Sequence, residues 1–270
     1  MGEMDLHIIV CLKVVPKPEE VSINPQTMTI DRARARSEIN PSDMYALEMA
    51  LSLKDEHGGE VSLLAMGPPF FEPYLRIAMA MGADAAFLLS DRAFAGADTL
   101  ATSYVLARGI ERLRPFHLVL CGEESSDGAT GQVPPGIAEW LDIPQLTYVE
   151  HLEVLPHGRV RARRVMDGGY QVLTAPLPAL ASVKSGVNEP RFIDMDRWLW
   201  AMQEAPVTVW GLADLGLDPE MVGAKGSPTV VSRVQQVGAR QRKRILITGT
   251  AEEEARTLWR FMRPLLEQRS

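Results

Sequence analysis

Cysteine is almost absent from this sequence, whose 270 residues include only Cys11 and Cys121. Two cysteines in apolar, strand-like surroundings are too few for the disulfide framework of a secreted domain. No second Cys or His lies near either of them at the spacing of metal ligands. We therefore expect two reduced thiols, a cytoplasmic location and no metal site.

Long apolar runs and a surplus of basic residues are missing as well. No segment is long enough to cross a bilayer, and MGEMDLHIIVCLK at the N-terminus has no basic region before a long apolar stretch. The net charge of −7 argues against nucleic acid as a partner. We expect a soluble protein without a secretory signal that is not embedded in a membrane. A hydrophobic content of 46% is ordinary for such a protein.

Several signatures of catalysis are also absent. No GxxxxGK[ST] motif occurs, which excludes a P-loop phosphotransferase, and no GxGxxG follows the first apolar run. The five His residues are scattered, and no Ser-His-Asp or Cys-His arrangement can be assembled from the sequence. We predict no catalytic residue in this chain.

Short apolar runs alternate with helix-like segments over residues 6–141. The four runs are LHIIVCLKVV, EVSLLAMG, AAFLLSD and FHLVLCG. The helix-like segments show Ser42 or Asp43 as one N-cap, Asp98 or Thr99 as another, and Gly82 at a C-terminus. Four strand–helix units with short connections predict an α/β fold, a parallel twisted sheet with helices on both faces, of the adenine-nucleotide-binding Rossmann-like type.

The pattern changes beyond residue 144. Residues 145–185 contain strand-like runs with glycine turns, and we assign them as a β-rich segment of a domain spanning 1–190. Residues 191–240 have many Pro and Gly and few regular periods, which predicts an extended recognition arm. Residues 241–270 end in the amphipathic AEEEARTLWRFMRPLLEQ and predict a C-terminal strand and helix that pack on a partner subunit.

The polar loop CGEESSDGATGQ, residues 121–132, directly follows the fourth apolar run. It contains almost nothing that could pack in a core. In parallel α/β sheets, ligands bind outside the carboxyl ends of the strands, near the N-termini of helices. The loop therefore occupies the position at which this fold binds a ligand.

Three other loops lie at the same predicted edge. Their glycines allow close backbone approach, and the helix N-termini beside them attract phosphate. Asp98 and Thr99, at the start of the third helix, join the candidates for this reason. For one loop, turn and cap chemistry is explanation enough. For four converging loops we favour an adenine nucleotide: Lys13 to Pro18, Met66 to Pro68, Ser90 to Thr99 and Cys121 to Gln132.

Three features leave alternatives open. The carboxylates Glu123, Glu124 and Asp127 suit an acid–base group, ribose binding or a solvated loop equally. The run RVRARR is a strand with one charged face or a surface for an acidic partner. Trp198 and its neighbour Trp200 either anchor an interface or fold back onto the parent domain.

Four stretches together resemble the β subunit of electron-transfer flavoproteins. They are INPSDMYALEMALSLKDEHGGEVSLLAMGPP, LRIAMAMGADAAFLLSDRAFAGADTLATS, CGEESSDGATGQVPPGIAEWLDIPQLTYVEHLEV and VNEPRF. The similarity runs from about residue 6 to residue 191. It implies a heterodimer with an α subunit that mainly holds one flavin adenine dinucleotide (FAD), while the β subunit binds its own nucleotide.

That second nucleotide is AMP in one branch of the family and FAD in the electron-bifurcating branch, where it accepts hydride from NADH. SDRAFAGADTLATS and GSPT favour FAD, although Ala129 stands where that branch usually has Asp. The resemblance implies that the nucleotide contacts Cys11, Leu12, Lys13, Asn40, Met66, Gly67, Asp127, Gly128, Thr130, Gly131, Gln132 and Val133.

The resemblance also implies redox partners. These are an acyl-CoA or other dehydrogenase and a downstream quinone reductase or ferredoxin. The segment after the NEPR motif contacts the dehydrogenase in the family, which here implies Glu189, Pro190, Arg191, Met195 and Trp198. A stand-alone adenine-nucleotide sensor and a nucleotide-dependent ligase or hydrolase are the competing hypotheses.

Overall fold

A computed structural model describes residues 5–17, 23–24, 29–30, 36–230 and 245–267. The chain forms two compact units, residues 1–234 and 235–270. The first unit contains the following elements: β1 (Leu6–Leu12), β2 (Val14–Pro16), β3 (Ile23–Asn24), β4 (Thr29–Ile30), β5 (Ser37–Ile39), α1 (Pro41–His57), β6 (Gly59–Met66), α2 (Glu72–Met81), β7 (Ala85–Leu89), α3 (Thr99–Arg112), β8 (Leu118–Gly122), α4 (Val133–Leu141), β9 (Gln145–Leu155), β10 (Arg159–Met166), β11 (Gly169–Pro176), β12 (Ala179–Val183), α5 (Met195–Gln203), β13 (Val207–Trp210) and α6 (Leu212–Leu215).

A nine-stranded sheet organises the first unit, in the order β11-β10-β9-β12-β8-β1-β6-β7-β13. All neighbours from β9 to β13 in that order are parallel, and only β10 and β11 run antiparallel to their neighbours. The prediction of a mostly parallel sheet covered by helices is confirmed. The β-rich segment belongs to this same sheet, because β12 inserts between β8 and β9.

Two apolar layers enclose the sheet. Alternate residues of β1 supply each of them: Ile8 and Val10 pack with α1 and α2, whereas Ile9 and Cys11 pack with α3 and α4. A strand buried on both faces reads as one continuous apolar run, which is what LHIIVCL shows. Each fully buried Ile or Leu stabilises the fold by about 1.5–3 kcal/mol.

Helix α1 begins two to three residues earlier than its sequence predicts. Its N-cap position is Asn40, and Pro41 is its first residue, so Ser42 and Asp43 are not caps. Proline suits this position because its fixed φ matches the helix and its missing N–H would have no partner there. The prediction for α3 is confirmed, since the Asp98 carboxylate accepts from the N–H groups of Leu100 and Ala101.

The structure also differs from the sequence expectation between residues 195 and 215. Helix α5 and strand β13 lie where irregular chain is expected, and β13 pairs with β7 at the edge of the sheet. The proline- and glycine-rich composition hid these short elements. The proposed boundaries at residues 190 and 240 remain predictions.

The second unit is described from residue 245. Helix α7 (Ala251–Glu267) confirms the predicted terminal helix, whereas residues 245–250 are not in a strand. The apolar side chains of α7 are roughly half exposed: Leu258, Trp259, Phe261, Met262 and Leu266. Within the part of the chain that the structure describes, no helix is both long and apolar enough to cross a membrane.

A histidine pair joins β1 to β8 at the amino edge of the sheet. The backbone N–H of His7 donates to Nδ1 of His117 at 2.9 Å, which requires a neutral His117 ring. Burial, together with the nearby His7, lowers the pKa of His117. Because the folded pKa lies below the unfolded value of about 6.5, this group stabilises the fold above that pH.

We therefore expect His117 to contribute about 1 kcal/mol that is lost on acidification below pH 6.5. Denaturant unfolding of the wild type and of His117→Asn from pH 5 to 8 measures this. The stability difference between the two should shrink toward pH 5. An equal difference at every pH would show that His117 protonation does not couple to folding.

Candidate functional site

The carboxyl ends of β1, β6, β7 and β8 meet at one edge of the sheet, as parallel strands must. Each is followed by a polar or glycine-containing segment, beginning at Lys13, Gly67, Ser90 and Glu123. The four predicted loops therefore share one edge. Pro18, at the end of the first loop, lies outside the described residues.

Asp43 is the central buried carboxylate at this edge, with 6% of the residue exposed. Its Oδ2 accepts from the Lys13 backbone N–H at 2.7 Å. Its Oδ1 accepts from the Asn40 side-chain amide at 2.9 Å and from the Gly122 N–H at 3.2 Å. One side chain from α1 thus ties together the ends of β1 and β8.

Desolvation by burial raises the pKa of Asp43 to about 7, even though these donors and the charge of Lys13 act in the opposite direction. The close approach is possible because residue 122 is glycine. A Cβ on Gly122 would lie 2.5 Å from Oδ1 of Asp43.

Asn40 extends this network to the polar loop of residues 121–132. Its amide nitrogen donates to the Glu124 carbonyl at 2.9 Å, and its Oδ1 accepts from the Ser126 N–H at 3.0 Å. The residue is 1% exposed. Because both the nitrogen and the oxygen of this buried amide are bonded to the loop backbone, Asn40 holds that backbone in one position.

Lys13 reaches the same loop from β1. Its Nζ donates to Asp127 Oδ1 at 2.5 Å and to Ser125 Oγ at 3.2 Å. The Lys13 side chain is 44% exposed, whereas that of Asp127 is 6% exposed. The lysine therefore fixes the middle of the loop and still presents part of its length to the edge.

The second half of the loop has a backbone shaped by left-handed residues. Ala129 has φ 47° and Gly131 has φ 62°. The exposed Thr130 lies between them, and its Oγ1 accepts weakly from the Gln132 N–H at 3.4 Å. The Thr99 hydroxyl donates to Gln132 Oε1 at 3.0 Å. This contact engages the amide oxygen and leaves the amide nitrogen of Gln132 to donate elsewhere.

Helix α4 starts directly after this loop, at Val133. Pro134 and Pro135 have no N–H, and the Gly136 N–H donates to the Gln132 carbonyl. A Cβ on Gly136 would lie 2.7 Å from Ser103 Oγ, so the glycine lets α4 pack closely on α3. Among the predicted candidates at this helix start, Val133 is the first helical residue, and its N–H has no acceptor within the helix.

The remaining predicted residues lie at the ends of β1 and β6. Cys11 and Leu12 are buried at the end of β1, and Cys11 packs beside Cys121. A hydrogen bond with the Cys11 thiol, followed by burial, raises the pKa of Cys121 well above its usual value, so it stays a thiol at neutral pH. Both cysteines are free. Met66 ends β6, and a Cβ on Gly67 would overlap the Phe71 ring at 2.2 Å.

Asp98 is engaged by the chain itself. Its Oδ1 caps α3, and its Oδ2 accepts from the backbone and hydroxyl of Thr229 at 3.1 and 2.7 Å. Although desolvation raises it, these bonds lower the pKa of Asp98 overall. The carboxylate thus fastens the GSPT segment onto α3. A nucleotide contact by Asp98 remains a prediction.

Glu123 belongs to the scaffold of the loop. Its Oε1 accepts from the Ser185 N–H at 3.0 Å, and Lys184 lies 3.6 Å from Oε2. These contacts tie the loop to the end of β12. Glu124 is exposed, whereas Glu123 and Asp127 are bonded to other parts of the chain. The three carboxylates of the loop therefore have different environments.

The segment that begins at Arg191 of the NEPR motif is anchored by ion pairs at its start and has exposed apolar side chains after it. Arg191 pairs with the buried Glu48 at 3.0 Å and with Asp55 at 2.8 Å, which raises its pKa further. Phe192 is 97% exposed and Met195 is 70% exposed. Arg191 therefore fixes the base of a segment whose apolar side chains face solvent.

The other predicted partner contacts differ in exposure. Glu189 is exposed and Pro190 is half-buried. Trp198 and Trp200 are partly buried against the core of the parent unit, which is the fold-back alternative. Arg197 lies 5.1 Å from the centre of the Trp200 ring and adds to this packing.

A family model described as the electron transfer flavoprotein domain matches residues 27–215, which is more than two thirds of the chain. The chain belongs to the electron transfer flavoprotein family.

Curated members of the family align over most of the chain. Protein FixA of Azotobacter vinelandii is 43% identical over 248 residues, which cover 90% of this chain and 88% of that protein. Subunit CarD of the caffeyl-CoA reductase-Etf complex of Acetobacterium woodii is 43% identical over 250 residues, 92% and 94% of the two chains. The β subunit from Clostridium acetobutylicum is 44% identical over 228 residues, 84% and 87% of the two. The resemblance to the β subunit of this family is confirmed.

Two residues at this edge, Asp43 and Tyr148, could not be assigned to the site from the sequence. Asp43 reads as a helix cap, and only the structure shows that its side chain points to β1 and β8. Tyr148 reads as an ordinary strand residue, but it has φ 55° and lies beside the loop. Among the residues that the structure describes, no three His, Cys, Asp or Glu side chains are placed to hold a metal ion.

Proposed function

We propose that this chain, as a β subunit of the electron transfer flavoprotein family, binds an adenine nucleotide at the carboxyl edge of its sheet. One observation carries the proposal: Lys13, Asn40 and Asp43 hold the loop of residues 121–132 by hydrogen bonds that are buried or partly buried. A surface loop without a ligand does not need such an organised base. Perturbed, buried polar groups beside a glycine-containing loop are typical of a binding site.

The donors at the edge fit the oxygens of phosphate and ribose. They are the amide nitrogen of Gln132, the hydroxyl of Thr130 and the backbone N–H of Val133, and the partly exposed Lys13, whose charge is paired with Asp127, adds an ammonium group beside them. Gly131 has no side chain that could hinder a ligand close to its backbone, whereas the missing side chain of Gly67 makes room for the Phe71 ring. These groups bind and orient a nucleotide; they do not activate one.

We propose FAD rather than AMP as the nucleotide of this edge, with a second FAD held mainly by the α subunit. The relative CarD, named as part of a caffeyl-CoA reductase-Etf complex, supports this branch of the family. When bound, the flavin supplies the electron-transfer chemistry, and NADH is its proposed hydride donor. The chain itself binds, orients and shields the cofactor.

The exposed apolar surfaces support a heterodimer. The half-exposed apolar residues of α7 make a face of the kind that a partner subunit covers. We assign that face to the α subunit, and we assign Phe192 and Met195 to a redox partner such as a dehydrogenase. A quinone reductase or ferredoxin then accepts the electrons. A stand-alone nucleotide sensor has no use for either surface.

Thr130→Val and Gln132→Ala test the nucleotide assignment. Each removes one proposed donor from an exposed side chain, so the fold should be unaffected while the nucleotide is retained about tenfold less tightly. The measurement is the equilibrium binding of FAD and AMP to the complex with its α subunit. Matched controls are Thr174→Val and Gln171→Ala, which make the same changes on exposed positions of β11. Equal binding by all four variants would overturn the assignment of the loop.

A further inference from the structure

Tyr148 has a backbone conformation that tyrosine rarely adopts. Its φ is 55°, in the left-handed region, where a side chain with a Cβ is strained. The register between β9 and β12 shifts at this point, between Ala181 and Val183. The Tyr148 N–H leaves the ladder and donates to the Ser182 hydroxyl at 3.2 Å.

Packing does not explain why this position holds a tyrosine. The side chain is 46% exposed, so the ring is not a core residue. A bulge in a left-handed conformation is met more easily by glycine or asparagine. Strain of this kind, tolerated in an exposed residue, is characteristic of functional sites.

The strained backbone carries the phenol to the nucleotide loop. A Cβ placed on Gly131 would lie 3.7 Å from the Tyr148 hydroxyl oxygen. This oxygen has no hydrogen-bond partner among the described residues. The phenol therefore lies beside Gly131 of the loop, one residue from Gln132, whose side chain accepts from the Thr99 hydroxyl of α3.

We propose that Tyr148 is a nucleotide-binding residue whose hydroxyl donates to a phosphate oxygen of the bound nucleotide. The inference rests on the proposed nucleotide site and extends it to a residue outside the loop. An anionic oxygen held above Gly131 would lie within reach of the phenol, and a phenol O–H is a strong donor to such an oxygen. Gln132 and Tyr148 then both donate to the phosphate, one from within the loop and one from β9.

Two variants test this inference in the complex with the α subunit. Tyr148→Phe removes only the hydroxyl. Tyr148→Asn removes the ring but tolerates the left-handed conformation, so it keeps the bulge. We expect Tyr148→Phe to raise the Kd for AMP and for FAD about tenfold, and Tyr148→Asn to raise it at least as much. Tyr170→Phe, at an exposed position of β11, is the matched control and should leave both constants unchanged.

The outcomes separate the inference from the proposed function. Wild-type binding with unchanged constants in both Tyr148 variants would overturn the role of Tyr148 and leave the nucleotide site intact. A loss in Tyr148→Asn without any loss in Tyr148→Phe would overturn the hydroxyl contact. No binding by the folded wild-type complex would overturn the nucleotide site itself. Denaturant unfolding of each variant identifies any loss that is due to misfolding.

Discussion

Replacing Asp43 with alanine should lower the free energy of unfolding by about 3 kcal/mol and prevent retention of the nucleotide. The change leaves three donors without their acceptor: the N–H groups of Lys13 and Gly122 and the side-chain amide of Asn40. Each buried, unsatisfied donor costs about 1–3 kcal/mol, and removal of a buried charge offsets part of that cost. Because Asn40 also holds the loop backbone, the loop should lose its fixed position.

Urea unfolding and nucleotide content of the complex measure the two effects. Ser42→Ala is the control, since among the described residues its hydroxyl bonds to the exposed Ser185 alone, and its loss should change stability by less than about 1 kcal/mol. The stability of Asp43→Asn should lie between those of the wild type and Asp43→Ala. Its amide oxygen can still accept a hydrogen bond, but its NH₂ group faces an N–H donor where the second carboxylate oxygen accepted. Normal stability together with a full nucleotide load in Asp43→Ala would contradict the role given to this carboxylate.

The raised pKa of Asp43 gives the same prediction a pH dependence. Burial raises the pKa from 3.8 to about 7, so the folded chain holds this proton more tightly than the unfolded chain does. The contribution of the group is complete below about pH 4 and is lost as the pH rises through 7. Relative to Asp43→Asn, the wild type should lose about 3 kcal/mol between pH 5 and pH 8. A constant difference would show that Asp43 is ionised throughout this range.

Replacing Arg191 with methionine should also destabilise the fold by about 3 kcal/mol. Glu48 is 8% exposed and would be left buried without its counter-charge, which is the costly way to break such a pair. The base of the segment that contains Phe192 and Met195 would be released from α1. Electron delivery by a dehydrogenase should slow, while the nucleotide edge, which Arg191 does not touch, should keep its ligand.

Two further variants make the Arg191 result specific. In Glu48→Gln combined with Arg191→Met, most of the lost stability should return, because no unpaired charge remains. Arg161→Met breaks an exposed pair with Glu153 and should cost no more than about 1 kcal/mol. If Arg191→Met and Arg161→Met cost the same, the buried pair is not an anchor of the segment.

The fold was largely predictable because its signals are local and periodic. LHIIVCL is apolar at every position that β1 buries, and Asp98 sits where a helix cap is expected. Helix α5 and strand β13 escaped prediction because they are short, and the pairing of β13 with β7 is decided by contacts more than 100 residues apart in sequence.

The location of the site could be predicted from the sequence, but its hydrogen-bond network could not. The loops had to meet at the carboxyl edge once the sheet was parallel, so the loops that contain Lys13 and Asp127 could be placed there. Asn40 lies in none of these loops and was named only from the family resemblance. The role of Asp43 depends on the distance between three chain segments, which no local pattern encodes. The left-handed Tyr148 follows from a register shift between β9 and β12, which the alternation of residues in TYVEHLEV does not reveal.

The most direct test of the nucleotide site is the nucleotide content of the wild-type complex. The chain is coexpressed with an α subunit of the family, the complex is purified and denatured, and the released FAD and AMP are quantified for each heterodimer. We predict two FAD and no AMP. One FAD and one AMP would keep the site and contradict the choice of FAD. A folded complex that releases no nucleotide from the β edge would contradict the site itself.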